Sequence, residues 1–298
     1  MKKNFIYISI LLISLTFNIV KAQEVIEISP LFEYPVAPED IESLEAKCDY
    51  LVKNFWDNFD FKKKQPVDQF ALNEAFDVYV TPMRYASKSA VDQSVDKLVS
   101  KISGNPVLLL QFTKAAEENL YGPRAEFWSD DLYLKFLEAL IKNKKVSEQR
   151  KSKYIKQFNE IKSSSQDNIA PSFDFVDING NLKHYFPMST PTILIFGDPE
   201  DTDWRLSRLK MDSNFSLGEA LEKGKLNILY IVTSKSDNWQ NNLSSYNKRW
   251  TVGKLDSLSD KYDTRLNPSV YLIGSDGKII KKFSPLEEAV NMALDLVK

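Results

Sequence analysis

A chain of 298 residues with 43% hydrophobic and 27% charged positions carries enough apolar material for one large core or two ordinary ones, which excludes a disordered protein. Its formal charge of −2, with no block of lysine or arginine, gives no electrostatic footing for nucleic acid or an anionic lipid surface. The single cysteine, Cys48, excludes an internal disulfide and any dithiol chemistry within one copy of the chain.

The first element in chain order reads as an export signal over residues 1–22. Lys2 and Lys3 precede the apolar run Phe5 to Phe17, and small residues at Val20 and Ala22 place a cleavage before Gln23. That run falls short of the ~20 residues a membrane span needs, so no transmembrane anchor is expected after cleavage. The residue directly after the cut is Gln23 and not a cysteine that could carry a lipid. Loss of Lys2, Lys3 and Lys21 moves the formal charge from −2 to −5.

Residues 23–163 read as an all-helical domain. Pro38 followed by Glu39 and Asp40 predicts a helix start, with proline early and acids near the positive end of the dipole. Ile41, Leu44, Cys48, Leu51, Val52, Phe55 and Phe59 share one face at spacings of three and four, so the Cys48 thiol is expected to be buried and inert. Val91, Val95, Leu98, Val99 and Ile102 form a stripe that stops at Gly104-Asn105-Pro106. A further helix runs through Leu110, Phe112, Ala116 and Leu120 to Gly122-Pro123. Ser129 then reads as an N-cap ahead of Asp130, Asp131, Leu134, Leu137 and Ile141. Each stripe is one face wide, so the helices must pack on one another.

The polar stretch Lys162 to Pro171 reads as a linker. Beyond it, residues 164–298 change period. "PSFDFVDINGNLKHYF" alternates on both sides of Asn179-Gly180, a strong hairpin signal. "TPTILIF" and "KLNILYIVT" are uninterrupted apolar runs, as central strands covered on both faces would be. Trp239 and Trp250 flank a further expected helix and are expected to pack against the sheet. "SVYLIGSDGKIIKKF" turns near Asp276-Gly277, and a last helix starts with Ser284 as cap and Pro285 in its first turn. Strands alternating with helices predict an α/β sheet layered by helices.

"IAPSFDFVDINGN", "TILIFGDPEDTDWRL" and "LNPSVYLIGSDGKII" together resemble the opening hairpin, the active-site strand–turn–helix and the proline loop of thioredoxin-like domains of the alkyl hydroperoxide reductase and periplasmic disulfide reductase group. The resemblance covers about residues 168–298 and implies a thioredoxin-like α/β domain behind an all-α domain of the uncharacterised kind that precedes such modules in some exported bacterial proteins. In that family the loop after the central strand carries Cys-x-x-Cys; laid on this chain, the two positions fall on Asp201 and Trp204. Neither side chain can form or resolve a disulfide. The resemblance also implies that Pro268 is cis and faces this loop, so that Asp201, Asp203, Trp204, Asn267 and Pro268 would border a groove for an extended peptide, with Trp204 as apolar anchor or, on the other reading, packed into the core.

The acids Asp198, Glu200, Asp201 and Asp203 read first as acceptors for the free N–H groups of the helix that begins near Thr202. A Ca²⁺ site is the weaker alternative, because the spacing lacks the glycine and the last glutamate of an EF-hand loop. His184, the one histidine, reads as a strand residue rather than a base. The expectation is a redox-inactive, thioredoxin-like exported protein that needs no cofactor and binds a protein or peptide in the periplasm or cell envelope. A metal-assisted enzyme using the acidic loop, and a structural subunit acting through its helical domain, stay open.

Overall fold

The computed structural model describes residues 30–62, 65–187, 189–233, 239–240, 246–255 and 260–298; the expected export signal lies outside them. Six helices come first: α1 (Leu44–Asn54), α2 (Gln69–Val80), α3 (Lys88–Ile102), α4 (Pro106–Ala116), α5 (Asp130–Lys142) and α6 (Glu148–Ser163). A 3₁₀ turn (Thr81–Arg84) follows α2, and a π turn (Glu117–Tyr121) extends α4. Side-chain oxygens of Ser43, Asp68, Ser87, Asn105 and Ser129 accept the free N–H groups at the starts of α1 to α5. The first helix therefore starts at Leu44 and not at Pro38, where the chain makes a turn closed by Ile41 N–H on Pro38 O. Ser43 offers a capping oxygen, and proline cannot.

The apolar stripes meet in one core that includes Val52, Phe76, Val95, Leu98, Phe112, Phe136 and Leu137. Trp56 sits among its rings, 5.0 Å from Phe112 and 5.4 Å from Tyr79 between centroids. Cys48 is buried on α1, and burial, with Asp49 beside it, pushes its thiol pKa up, away from reactivity.

The second half is a mixed sheet in the order β2-β1-β5-β4-β3-β6-β7. Its strands are β1 (Phe173–Asp177), β2 (Leu182–Tyr185), β3 (Thr192–Gly197), β4 (Asn227–Val232), β5 (Thr251–Lys254), β6 (Ser269–Ile273) and β7 (Ile279–Lys282). The hairpin forms at the expected turn: Phe173 pairs with Tyr185, Gly180 takes φ +81°, and the Asp177 carboxylate accepts the amides of Asn179 and Asn181. β3 is buried throughout, parallel to β4 and antiparallel to β6. β5 has no apolar run to announce it in the sequence.

Alternate residues of the central strands feed two clusters. Ile193, Ile195, Ile228, Tyr230, Val252 and Leu272 face α7 (Thr202–Asp212), α8 (Phe215–Glu222) and α9 (Leu286–Asp295). Leu194, Phe196, Leu229, Ile231, Tyr271 and Ile273 pack with Phe173, Phe175 and Tyr262. Trp239 and Trp250 are buried in the first cluster; the helix expected between them falls largely outside the described residues. The last helix starts at Leu286 with Pro285 as its cap residue. Ser284 is buried, its amide donating to Val270 O, and makes no capping bond.

The polar stretch read as a linker is tied to the sheet. Asp167 N–H donates to Ile279 O and Ala170 N–H to Gly277 O, each at 2.9 Å, while Ile279 N–H donates back to Asn168 O. Ser163 Oγ donates to Lys261 O, and Ser164 is fully buried. Its serines and asparagines spend their polarity on backbone groups that a free linker would leave to water, and they cover the outer edge of β7.

The helices and the sheet meet through charge. Asp263 is fully buried; its carboxylate accepts from Lys282 Nζ at 2.9 Å and lies 3.4 Å from both Arg265 Nη2 and the Tyr121 hydroxyl. Asp130, at the start of α5, binds Lys282 Nζ at 2.8 Å and the Arg265 guanidinium. Burial pushes the Asp130 carboxyl pKa up, but the two cations outweigh it and hold it below the ordinary value. The guanidinium lies 3.9 Å over the Tyr121 ring and donates to Tyr121 O.

Two predictions follow from this packing. A Cβ at Gly253 would sit 2.2 Å from the Phe175 ring and 2.8 Å from Val176 O. Gly253→Ala is expected to lower unfolding free energy by about 3 kcal/mol in urea titrations. At the seam, Glu160 has a pKa raised from 4.5 to about 7 by burial, opposed by Lys156 and reinforced by Asp263 and Asp260. Stability tied to this carboxyl is complete below pH 4.5 and lost as pH rises through about 7. Glu160→Gln should match the native protein near pH 4 and exceed it by about 1 kcal/mol near pH 8, allowing for solvent screening.

Candidate functional site

β3 runs into Gly197, where the chain turns toward α7. A Cβ here would meet the Tyr230 ring at 3.3 Å and the Pro268 ring at 3.4 Å, so glycine permits the close approach of three segments. Tyr230 on β4 donates its hydroxyl to Gly197 O at 2.9 Å. Burial raises that phenol's pKa far above its usual value, which keeps it neutral.

Asp198 N–H donates to Asn267 Oδ1 at 2.9 Å, and Asn267 Nδ2 donates to Asp201 Oδ2 at 3.2 Å. The other Asp201 oxygen accepts Trp204 N–H at 2.7 Å, which makes Asp201 the N-cap of α7. Asp198 Oδ1 accepts Glu200 N–H at 3.0 Å. The Asn267–Pro268 bond is cis, and both residues stand opposite the loop that contains Asp201.

The structure thus brings Asp198, Asp201, Asn267 and Pro268 together, with Asp203 exposed on the first turn of α7. Of the two readings for Trp204, the structure carries the packed one and removes it from the expected groove. That side chain is fully buried and stacks on Tyr230, with ring centroids 4.9 Å apart and planes 15° from parallel. It borders no groove, because the fourth residue from the N-cap lands on the helix face that covers the sheet. Its indole N–H has no hydrogen-bond partner among the described residues.

The acids Asp198 and Asp201 accept backbone or amide N–H groups, and Glu200 and Asp203 stand exposed. Among the described residues no three His, Cys, Asp or Glu side chains are grouped to hold a metal ion. His184 sits on β2 with Nδ1 2.6 Å from Asp174 Oδ1, both exposed at the sheet edge.

Sequence reasoning missed the charged seam and Tyr230. Asp130 stood out only as a first-turn acid, and "YDTRLNP" places Asp263 and Arg265 five and three residues before Pro268. That spacing is the one local signal that the proline loop is held from the helical side.

A family model described as a domain of unknown function (DUF5106) matches residues 13–164. Over 89% of this chain and 98% of its own, the crystal structure of a thioredoxin-like protein from Bacteroides caccae superposes with a TM-score of 0.68 at 17% identity. The thioredoxin domain of a thiol-disulfide oxidoreductase from Bacteroides vulgatus matches 45% of this chain and 99% of its own, at 16% identity and a TM-score of 0.38. No curated protein matches. The sheet of residues 173–282 with its helices is a thioredoxin-like fold, preceded by a helical region.

Asp201 and Trp204 should respond differently to substitution. Asp201→Ala removes one cap and is expected to cost about 1 kcal/mol. Trp204→Ala empties a filled core site and is expected to cost about 3–5 kcal/mol, both measured by chemical denaturation.

Proposed function

The chain belongs to the DUF5106 family, and from that premise we propose that it is a redox-inactive, exported thioredoxin-like protein that binds a protein or peptide partner in the cell envelope. The single cysteine carries the redox part of this reading. Cys48 sits buried on α1, and aspartate and tryptophan stand where a dithiol would be needed. The active-site turn keeps its helix cap and its proline loop but holds no nucleophilic sulfur, so what it can still do is recognise.

The surface proposed for the partner is bordered by Asp201, Asp203, Asn267 and Pro268. Asp203 and Asn267 are exposed, and Asp201 and Pro268 are half-buried. The Lys2–Ala22 pattern supports export. No helix of the described residues is long and apolar enough to cross a membrane.

A photo-crosslinking amino acid at Asp203 is expected to give a discrete adduct in the native envelope, with none from the same probe at Lys298. Equal or absent adducts at the two positions would sink the binding surface. Purified protein should reduce insulin with dithiothreitol no faster than the reagent alone.

A further inference from the structure

We propose that Asn267 is a built-in occupant of this site, its side-chain amide standing in for a peptide unit, and that the helical region latches it there through the buried charges. The identity of what Asn267 displaces rests on the binding role above; the latch itself does not.

The Asn267 carboxamide offers one C=O and one N–H₂, the same pair of functions as a backbone peptide unit. The C=O accepts Asp198 N–H at 2.9 Å, and the NH₂ donates to the Asp201 carboxylate at 3.2 Å. Both partners lie on the loop that borders the proposed surface, where a strand entering it would meet them. While Asn267 holds them, a strand entering the site must first break two hydrogen bonds.

The backbone that carries Asn267 is held at both ends. Arg265, two residues earlier, is 8% exposed and bound to Asp130, Asp263 and Tyr121 O. Asp263 is bound by Lys282, and its amide donates to Ser164 Oγ while its carbonyl accepts from the Tyr271 hydroxyl. On the other side, Ser269 Oγ reaches back to Leu266 O at 2.7 Å, and Ser269 pairs with Phe196 in the sheet. Residues 263–269 form a short bridge pinned at both ends, with Asp130, Tyr121 and Ser164 of the helical side holding one of them. Retracting Asn267 strains that end, and loosening that end releases Asn267. By linkage, ligand entry and undocking of the helical region favour each other.

Amide hydrogen exchange on the full chain tests the latch without any partner. Asn267→Ala sets the rate of a released Asp198 amide. Arg265→Lys, which keeps charge but loses the fork held by Asp130 and Tyr121 O, is expected to speed Asp198 exchange about fivefold or more toward that rate. The hairpin amide of Asp177, bonded to Asn181 O, should keep its wild-type rate as control. Faster exchange at Asp263 with Asp198 unchanged overturns the latch. Should Arg265→Lys fail to fold, Tyr121→Phe removes only the hydroxyl near Asp263 and is read in the same way. For the occupant, Asn267→Ala should raise the yield of the Asp203 photo-adduct, and an unchanged yield overturns it. Adducts absent from both proteins would remove the binding role and the occupant with it, and the exchange rates would still decide the latch.

Discussion

Two carboxylates and two cations, Asp130, Asp263, Arg265 and Lys282, hold the helices against the sheet. The cores on either side are separate apolar clusters, so burial alone would allow the two halves to slide over each other. Charge does not allow it. Only Asp130 comes from the helical side, and a buried ion left without its partner costs about 3–5 kcal/mol, so a docking geometry that does not bring Asp130 to Arg265 and Lys282 is penalised. Arg265 adds direction, because its plane lies on Tyr121 while its fork spans Asp130 and the Tyr121 carbonyl.

That constraint reaches the candidate site along the backbone. Asp263 and Arg265 precede Asn267 and Pro268 in one short segment, and Asn267 joins the segment to the acidic loop. The helical region is in this way part of the site's support. Asp201 places a carboxylate at the positive end of α7 by capping it. Three residues on, Trp204 stacks on Tyr230, and Tyr230 ties down Gly197 at the end of β3. Such an arrangement rigidifies the turn.

Much of this was legible along the chain. Asn179-Gly180 fixed a hairpin because only certain residues accept positive φ, and the runs at Thr192 and Asn227 were buried on both faces as their composition required. Capping by Asp201 followed from the four free N–H groups that any helix start presents. Other features misled for definable reasons. Lys162 to Pro171 is polar because it hydrogen-bonds to the sheet, and polarity along a sequence does not say whether water or protein receives it. Pro38 suits a helix start, but Ser43 offers the oxygen that a cap needs. The short strand Thr251–Lys254 contains Gly253, which local propensity counts against a strand and the Phe175 ring requires.

Local pattern and composition suffice for the helical and strand periods, the thioredoxin-like order of the second half, the cap at Asp201 and the lack of a second cysteine. These are properties of neighbours a few residues apart, or of composition. It took the convergence of distant segments to make Trp204 core, to let Asn267 bridge Asp198 and Asp201, and to bring Asp130 to Lys282 across 152 positions of chain. Burial and ion pairing depend on which distant segments converge, and the free energy of a charge or an indole is set by that environment and not by its place in the sequence.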